Sequence, residues 1–189
     1  MKKNILIFTG FVLIASFIAW LLFVEKVSAP AKEEQYVSEK FGISFSVPDG
    51  YFIAHEITEE GSGERERYTI VFMEDTKENR DLVSGVSTPE RDGPPTITIG
   101  IFQNNLDNYT ARSFIEGTSF SNFKLSDGVI SETTIAGESA LSYHASGLYE
   151  NKNIVIARQN FVYMFTAFYN DPKDKILTDF EEMVKTVRF

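Results

Sequence analysis

Gly137-Glu138-Ser139-Ala140-Leu141 is the stretch of this chain that comes nearest to a nucleophile motif. In G-x-S-x-G the serine sits on a sharp strand-to-helix turn, and both glycines are needed for the backbone to pass. Leu141 stands where the second glycine belongs, and a strand rather than a helix is expected to follow. His144, five residues on, falls on the opposite face of that strand from Ser139, because strand side chains alternate. The chain's two histidines, His55 and His144, fall in different hairpins, without the spacing by which zinc ligands pair. Glu59, Glu60, Glu64 and Glu66 make an acidic run. A calcium loop alternates oxygen ligands around a glycine, whereas here Arg65 and Arg67 interleave and neutralise the charge. A solvated hairpin tip is the expected role. The 27 acidic residues make some carboxylate pair inevitable, so no pair signals glycoside hydrolysis. Asn108-Tyr109-Thr110 matches the glycosylation sequon, which is incidental outside a eukaryotic secretory pathway. There is no cysteine, which excludes thiol chemistry, cysteine–zinc sites and disulfides. The residues therefore assign no catalytic position, no cofactor site, no metal ligand and no cofactor.

The elements that must position these residues read mostly as strands. Phe41 to Val47 alternates apolar with small or polar residues, the period of a strand with one buried face. Pro48-Asp49-Gly50 marks a turn. Tyr51–Ile57 and Tyr68–Met73 read as strands on either side of the polar loop at Glu59–Glu64. Glu74 to Pro95 is polar and holds three of the six prolines; a short helix near Lys77–Val83 is all they permit. Its length and alternating charges leave two readings of this loop, residues 74–95: a disordered insertion, or a region that contacts a partner. Thr96–Gln103 is another strand, with Ile97, Ile99 and Ile101 on one face. Asn108 is expected to cap a helix through Gly117, with Tyr109, Phe114 and Ile115 facing inward. A meander follows, with strands Val129–Ile135, Glu138–Tyr149, Asn153–Arg158 and Phe161–Tyr169. Its turns fall at Ala136-Gly137, Glu150–Lys152 and Gln159-Asn160. Phe161–Tyr169 is apolar on both faces apart from Thr166, so it should be central and covered on both sides. Asp171-Pro172 is expected to open the last helix. Ile176, Leu177, Phe180, Met183 and Val184 form its core stripe, ahead of a short edge strand at Thr186–Phe189.

Ile5 to Val24 carries no charge, follows Lys2 and Lys3, and ends at Glu25-Lys26. As a helix it reaches about 30 Å, the thickness of a bilayer's hydrocarbon core. The two lysines hold the N-terminus in the cytoplasm, so the rest is expected outside it. The alternative is a signal peptide, with Ala29-Pro30-Ala31 as the cleavage pattern and a secreted product. The apolar core exceeds the roughly 7–15 residues usual for such peptides. Trp20 near the outer interface also favours an uncleaved anchor. Without cysteine, lipid attachment after the signal is closed. Residues 1–24 are thus read as an anchor or signal, 25–37 as a charged stalk and 38–189 as one domain. All 27 acidic residues and 16 of the 18 basic ones follow Val24, a formal charge of −11. That argues against nucleic acid or anionic headgroups as partners. Aromatics at 14% of the chain suit a sheet-rich core.

The order of elements resembles the PsbP/Mog1-like superfamily, which includes small exported bacterial domains related to photosystem II assembly proteins. Phe41-Gly42-Ile43-Ser44-Phe45-Ser46-Val47-Pro48-Asp49-Gly50-Tyr51 is similar to the family's first strand and its Pro-x-Gly turn. Ile135-Ala136-Gly137-Glu138-Ser139-Ala140 is similar to its midpoint, an apolar residue and glycine before a long strand. Tyr163-Met164-Phe165-Thr166, the helix at Phe180 and the closing Val187-Arg188-Phe189 are similar to its C-terminal strand and helix. The resemblance implies an α+β domain, a twisted antiparallel sheet flanked by helices. It carries no shared catalytic constellation. The expected function is a membrane-anchored extracytoplasmic binding or assembly module, not an enzyme. Its occupant would be a protein partner or a small apolar ligand. An envelope hydrolase with Ser139 as nucleophile, or a structural subunit of an envelope complex, is the alternative.

Overall fold

The computed structural model describes residues 34–60, 65–87 and 93–189. The span Ile5–Val24, the pattern at Ala29–Ala31 and most of the expected stalk lie outside them. Among the described residues no helix is long and apolar enough to cross a membrane.

The last part of the expected stalk belongs to the domain. β1 (Gln35–Ser38) pairs antiparallel with β2 (Ile43–Ser46), Tyr36 opposite Phe45. The two rings stack at 4.9 Å between centroids, and Phe45 is fully buried. That aromatic contact makes Gln35–Val37 a strand, where composition alone suggested a tether.

Seven further strands form one antiparallel sheet. They are β3 (Tyr51–Glu60), β4 (Glu66–Glu74), β5 (Ile97–Gln103), β6 (Ser131–Ile135), β7 (Glu138–Ser146), β8 (Glu150–Arg158) and β9 (Phe161–Tyr169). Their spatial order is β3-β4-β5-β9-β8-β7-β6, which puts β9 at the centre. The apolar character of β9 on both parities explains this. Tyr163, Phe165 and Ala167 are buried in the core on one face, and Val162 and Met164 in the core on the other.

The first face is covered by the β1–β2 hairpin and by the last helix, α3 (Lys175–Thr186), whose Ile176, Phe180, Met183 and Val184 are buried. The second face carries α2 (Ala111–Gly117) and a 3₁₀ turn at Phe123–Leu125. A short helix, α1 (Lys77–Val83), capped by Thr76, lies in the loop between β4 and β5. The fold is α+β, a seven-stranded antiparallel sheet with helices on both faces.

Several boundaries differ from expectation, each for an identifiable reason. The cap of α2 is Thr110, not Asn108; Thr110 and Ser113 form a reciprocal capping box. Asn108 has a left-handed backbone, φ 52°. The buried Asn104 clamps the segment first, its side chain donating to the Tyr109 carbonyl at 2.9 Å and accepting from the Tyr109 N–H at 2.7 Å. α3 begins after Asp174, not at Asp171-Pro172. The Asp174 carboxylate turns back to accept from the N–H groups of Asn170 and Asp171, both at 2.9 Å, so 171–174 is a separate turn. β8 starts at Glu150, where a turn was expected. The buried Asn151 and Asn153 satisfy one another and Thr166. At the C-terminus Arg188 exchanges two backbone hydrogen bonds with Ser44, at 2.8 and 2.9 Å, as an isolated bridge to β2 rather than an edge strand of the main sheet.

Candidate functional site

One row of cross-strand neighbours builds a cleft with an apolar floor. Glu59 on β3 lies opposite Arg67 on β4, Arg67 opposite Phe102 on β5, and Phe102 opposite Val162 on β9. Register alone thus places a carboxylate, a guanidinium, a ring and a branched aliphatic side by side on the face that carries α2. The row floors a cleft of about 300 Å³, walled by Tyr109, Phe114 and Phe120 from the α2 region.

Arg67, Phe102 and Phe120 form a triangle. The guanidinium carbon is 5.3 Å from the Phe102 ring centre and 5.1 Å from that of Phe120, and the two rings are 5.0 Å apart. Such distances are attractive, because the cation faces the ring quadrupoles. Phe114 stands 4.8 Å from Phe102. Gly100 opens the space the Phe102 ring occupies: a Cβ at Gly100 would meet Phe102 Cε2 at 2.9 Å. Phe120 remains 47% exposed over the cleft. Its segment is held from below, since Tyr143 Oη donates to the Ser121 carbonyl at 2.5 Å and Ser121 Oγ donates to the Ile115 carbonyl at 2.6 Å. Burial pushes the Tyr143 phenol well above its ordinary value, so it stays a donor.

The rim charges are closed into pairs. Arg67 meets Glu59 at 3.2 Å, Arg65 meets Asp107 at 2.7 Å, and Lys40 meets Glu66 at 2.6 Å. Arg67 Nε, in the lining of the cleft, is shielded from solvent and has no hydrogen-bond partner among the described residues; Thr69 Oγ1, outside the lining, is likewise shielded and unpartnered. Thr69, two residues along β4 and opposite Gly100, lies on the same face as Arg67 because strand side chains repeat every second residue. Native interiors pair nearly all such atoms, so the Arg67 donor in the cleft calls for a reason.

The hairpin tip read as merely solvated therefore has a second side. Its neutralisation is real, but Arg67 lies in the aromatic cluster rather than in open solvent. Glu64 and the Glu60 side chain lie outside the described residues. The candidates with catalytic or ligating chemistry do not come together. Ser139 is exposed opposite Thr134, on the other face of β7 from His144. His144 is also exposed, its Nδ1 3.4 Å from Tyr169 Oη. β3 and β7, which carry His55 and His144, are separated by four strands, roughly 24 Å at the usual spacing. No group of three or more metal-ligating side chains occurs among the described residues. In the loop 74–95, Arg80 pairs with Asp75 at 2.8 Å and lies 4.5 Å from the centre of the Phe52 ring, a local clasp; residues 88–92 lie outside the described residues.

None of the cleft's aromatic residues was picked out from the sequence as a site. The available signals were Gly100 inside an alternating strand, which marks close approach, and the isolated Phe120 between two serines.

No protein-family model matches the chain, and no curated protein does. Among solved structures it is similar to the solution structure of cyanobacterial PsbP from Synechocystis. The two share 12% identity with a TM-score of 0.48, over 85% of this chain and 94% of that one. It is also similar to a crystal structure from Bacteroides thetaiotaomicron, at 12% identity and a TM-score of 0.46, over 84% of this chain. The chain spans about half the length of that second structure, 48%. Neither likeness assigns a family or a function.

Proposed function

We propose that this chain is a membrane-anchored, extracytoplasmic binding module, and that its occupant enters the cleft beneath Phe120. The observation that carries the reading is the half-exposed Phe120 over a floor of Phe102 and Val162, beside the wall at Phe114, in a cleft of about 300 Å³. Small-molecule sites are concave and mostly apolar with a few placed polar groups, and this cleft has that character. The uncharged run Ile5–Val24 supports anchoring, and cleavage after Ala31 would release the same domain. The occupant is a small apolar ligand or an apolar side chain of a partner protein.

Incorporation of p-benzoyl-phenylalanine in living cells tests this. The photoreactive residue is placed at position 120 and, as a control, at the exposed Leu148. Adducts from position 120 and not from 148, detected by intact-protein mass spectrometry, are the expected result. No adduct, or equal adducts from both positions, would remove the cleft from the proposal.

A further inference from the structure

Resting on that reading of the cleft, we infer that its ligand is a small neutral molecule with an apolar body about one ring in size and a carbonyl acceptor, received by the Arg67 Nε–H. Four observations converge on this chemistry.

The space comes first. About 300 Å³ is the lower end of the range for small-molecule sites, which runs to roughly 1,000 Å³. It admits a small ring compound and not an extended chain. The lining comes second. Phe102, Phe114, Phe120 and Val162 present rings and a branched aliphatic, which favour a flat apolar body.

The charges come third. Arg67, Arg65 and Lys40 are each already paired with a carboxylate. A ligand carboxylate would compete with Glu59 for Arg67, and a ligand ammonium would compete with Arg65 for Asp107. A neutral ligand disturbs neither pair.

The unpaired atom comes last. A guanidinium carries only donors and does not deprotonate. Arg67 Nε–H is shielded from solvent and lacks an acceptor among the described residues, although Nη1 of the same side chain is satisfied by Glu59. A buried donor without a partner destabilises the fold, and a carbonyl oxygen would relieve it while Glu59 stays in place. Arg67 Nε is covered by protein, so a neighbouring side chain turns aside as the ligand enters; in this proposal it is the half-exposed Phe120 ring, 5.1 Å from the guanidinium carbon. The neighbouring Ser121 is anchored to the Ile115 carbonyl and by Tyr143, among other hydrogen bonds.

The test uses the full-length chain in lipid nanodiscs, labelled with ¹⁵N-arginine. The Arg67 Nε–H resonance is identified as the one lost in Arg67→Lys. Acetophenone, ethylbenzene and benzoate are titrated, each corrected for its partition into empty nanodiscs. The expected result is a saturable shift of the Arg67 signal with acetophenone. Its affinity should be roughly fivefold above that of ethylbenzene, the ratio one net hydrogen bond supplies, with benzoate weaker than acetophenone. In Arg67→Met the ratio of acetophenone to ethylbenzene affinity should fall to about one, with the other arginine signals showing an intact fold. Equal affinities for acetophenone and ethylbenzene in the wild type would overturn the acceptor and leave the binding cleft standing. Benzoate binding tighter than acetophenone would overturn neutrality. Saturation by none of the three would overturn the ligand class, while adducts at position 120 would still uphold the cleft.

Discussion

Tyr163 Oη donates a 2.6 Å hydrogen bond to the main-chain carbonyl of Phe41. Both residues are buried, and they lie 122 positions apart. The bond ties the central strand β9 to the loop between β1 and β2, so it closes the hairpin onto the main sheet. Tyr163→Phe keeps the ring and removes the donor, leaving a buried carbonyl without its partner. The expected loss is about 1–3 kcal/mol, read as a lower urea midpoint at unchanged slope. An unchanged midpoint would mean the carbonyl finds water and the hairpin does not depend on this bond.

A second buried pair links neighbouring strands. Thr166 Oγ1 donates to Asn153 Oδ1 at 2.9 Å, and Asn153 Nδ2 donates to Asn151 Oδ1 at 2.6 Å. Asn153→Leu or Thr166→Val alone strands its neighbour in an apolar interior, at a cost of about 1–3 kcal/mol each. The double variant removes both partners and should cost less than the sum of the singles. A coupling of roughly 0.5–3 kcal/mol from denaturant unfolding is the expected outcome; strict additivity would show that the network is not cooperative.

Gly100→Ala sets two effects against each other. Removing a strand glycine stabilises by about 0.4–1 kcal/mol through the unfolded chain. The new methyl, however, would lie 2.9 Å from Phe102 Cε2 and 3.2 Å from Cζ, and overpacking costs about 1–3 kcal/mol. Overpacking should win, with a net fall in the unfolding midpoint. The displaced ring should also weaken acetophenone binding in the cleft, and a variant binding as tightly as the wild type would show that Phe102 does not shape the floor.

At the β6–β7 turn a gain in stability is expected. Ala136 and Gly137 both have positive φ, 50° and 80°, as a two-residue hairpin of type I′ requires. Alanine is strained there, whereas asparagine tolerates that region. Ala136→Asn should raise stability by roughly 0.5–1 kcal/mol, or about 2–4 °C in Tm per kcal/mol for a domain of this size. Calorimetry showing a fall would mean that the turn relaxes in solution.

Acid sensitivity should trace to the bridge between β8 and α3. Lys152 Nζ lies 2.5 Å from Glu181, and that hydrogen bond, with the nearby charges of Lys152 and Lys185, holds the Glu181 carboxyl below its ordinary value. A carboxylate whose folded pKa is depressed stabilises the fold above its unfolded pKa, about 4.3 for glutamate. That stabilisation is lost as pH falls through the lower folded value. The advantage of wild type over Lys152→Gln should therefore be full at neutral pH and shrink below about pH 4. Glu181 is half exposed, so the difference is small and should fade further in high salt. A gap that widens on acidification would contradict the assignment.

Much of the sheet was legible because it rests on local periodicity. The nine residues of β9 are apolar on both parities, and β9 is the central strand. Ile97, Ile99 and Ile101 share a buried face. The separation of Ser139 from His144 also followed, since five residues along a strand always means opposite faces. The errors fell where a side chain chose between two local roles. Asn151 reads as a turn residue until Asn153 and Thr166 are seen beside it. Asn108 reads as a cap until Asn104 is seen to hold the Tyr109 backbone, which leaves the cap two residues later at Thr110. The cleft was the least legible part, because Glu59, Arg67, Phe102, Val162 and Phe120 share no motif and meet only through strand register and the path after α2.

The sequence by itself determined the composition of the domain, its strand periods and their faces, because these depend on residues within a few positions of one another. It also set the charge and the uncharged run Ile5–Val24, from which an address is argued. The tertiary structure alone decided that Gln35–Val37 join the domain, that Arg188 bridges to Ser44, and that a guanidinium sits among aromatic rings over a Gly100 gap. Those outcomes depend on which strands become neighbours and in what register. That is a global property of the packed sheet, and no window of the chain contains it.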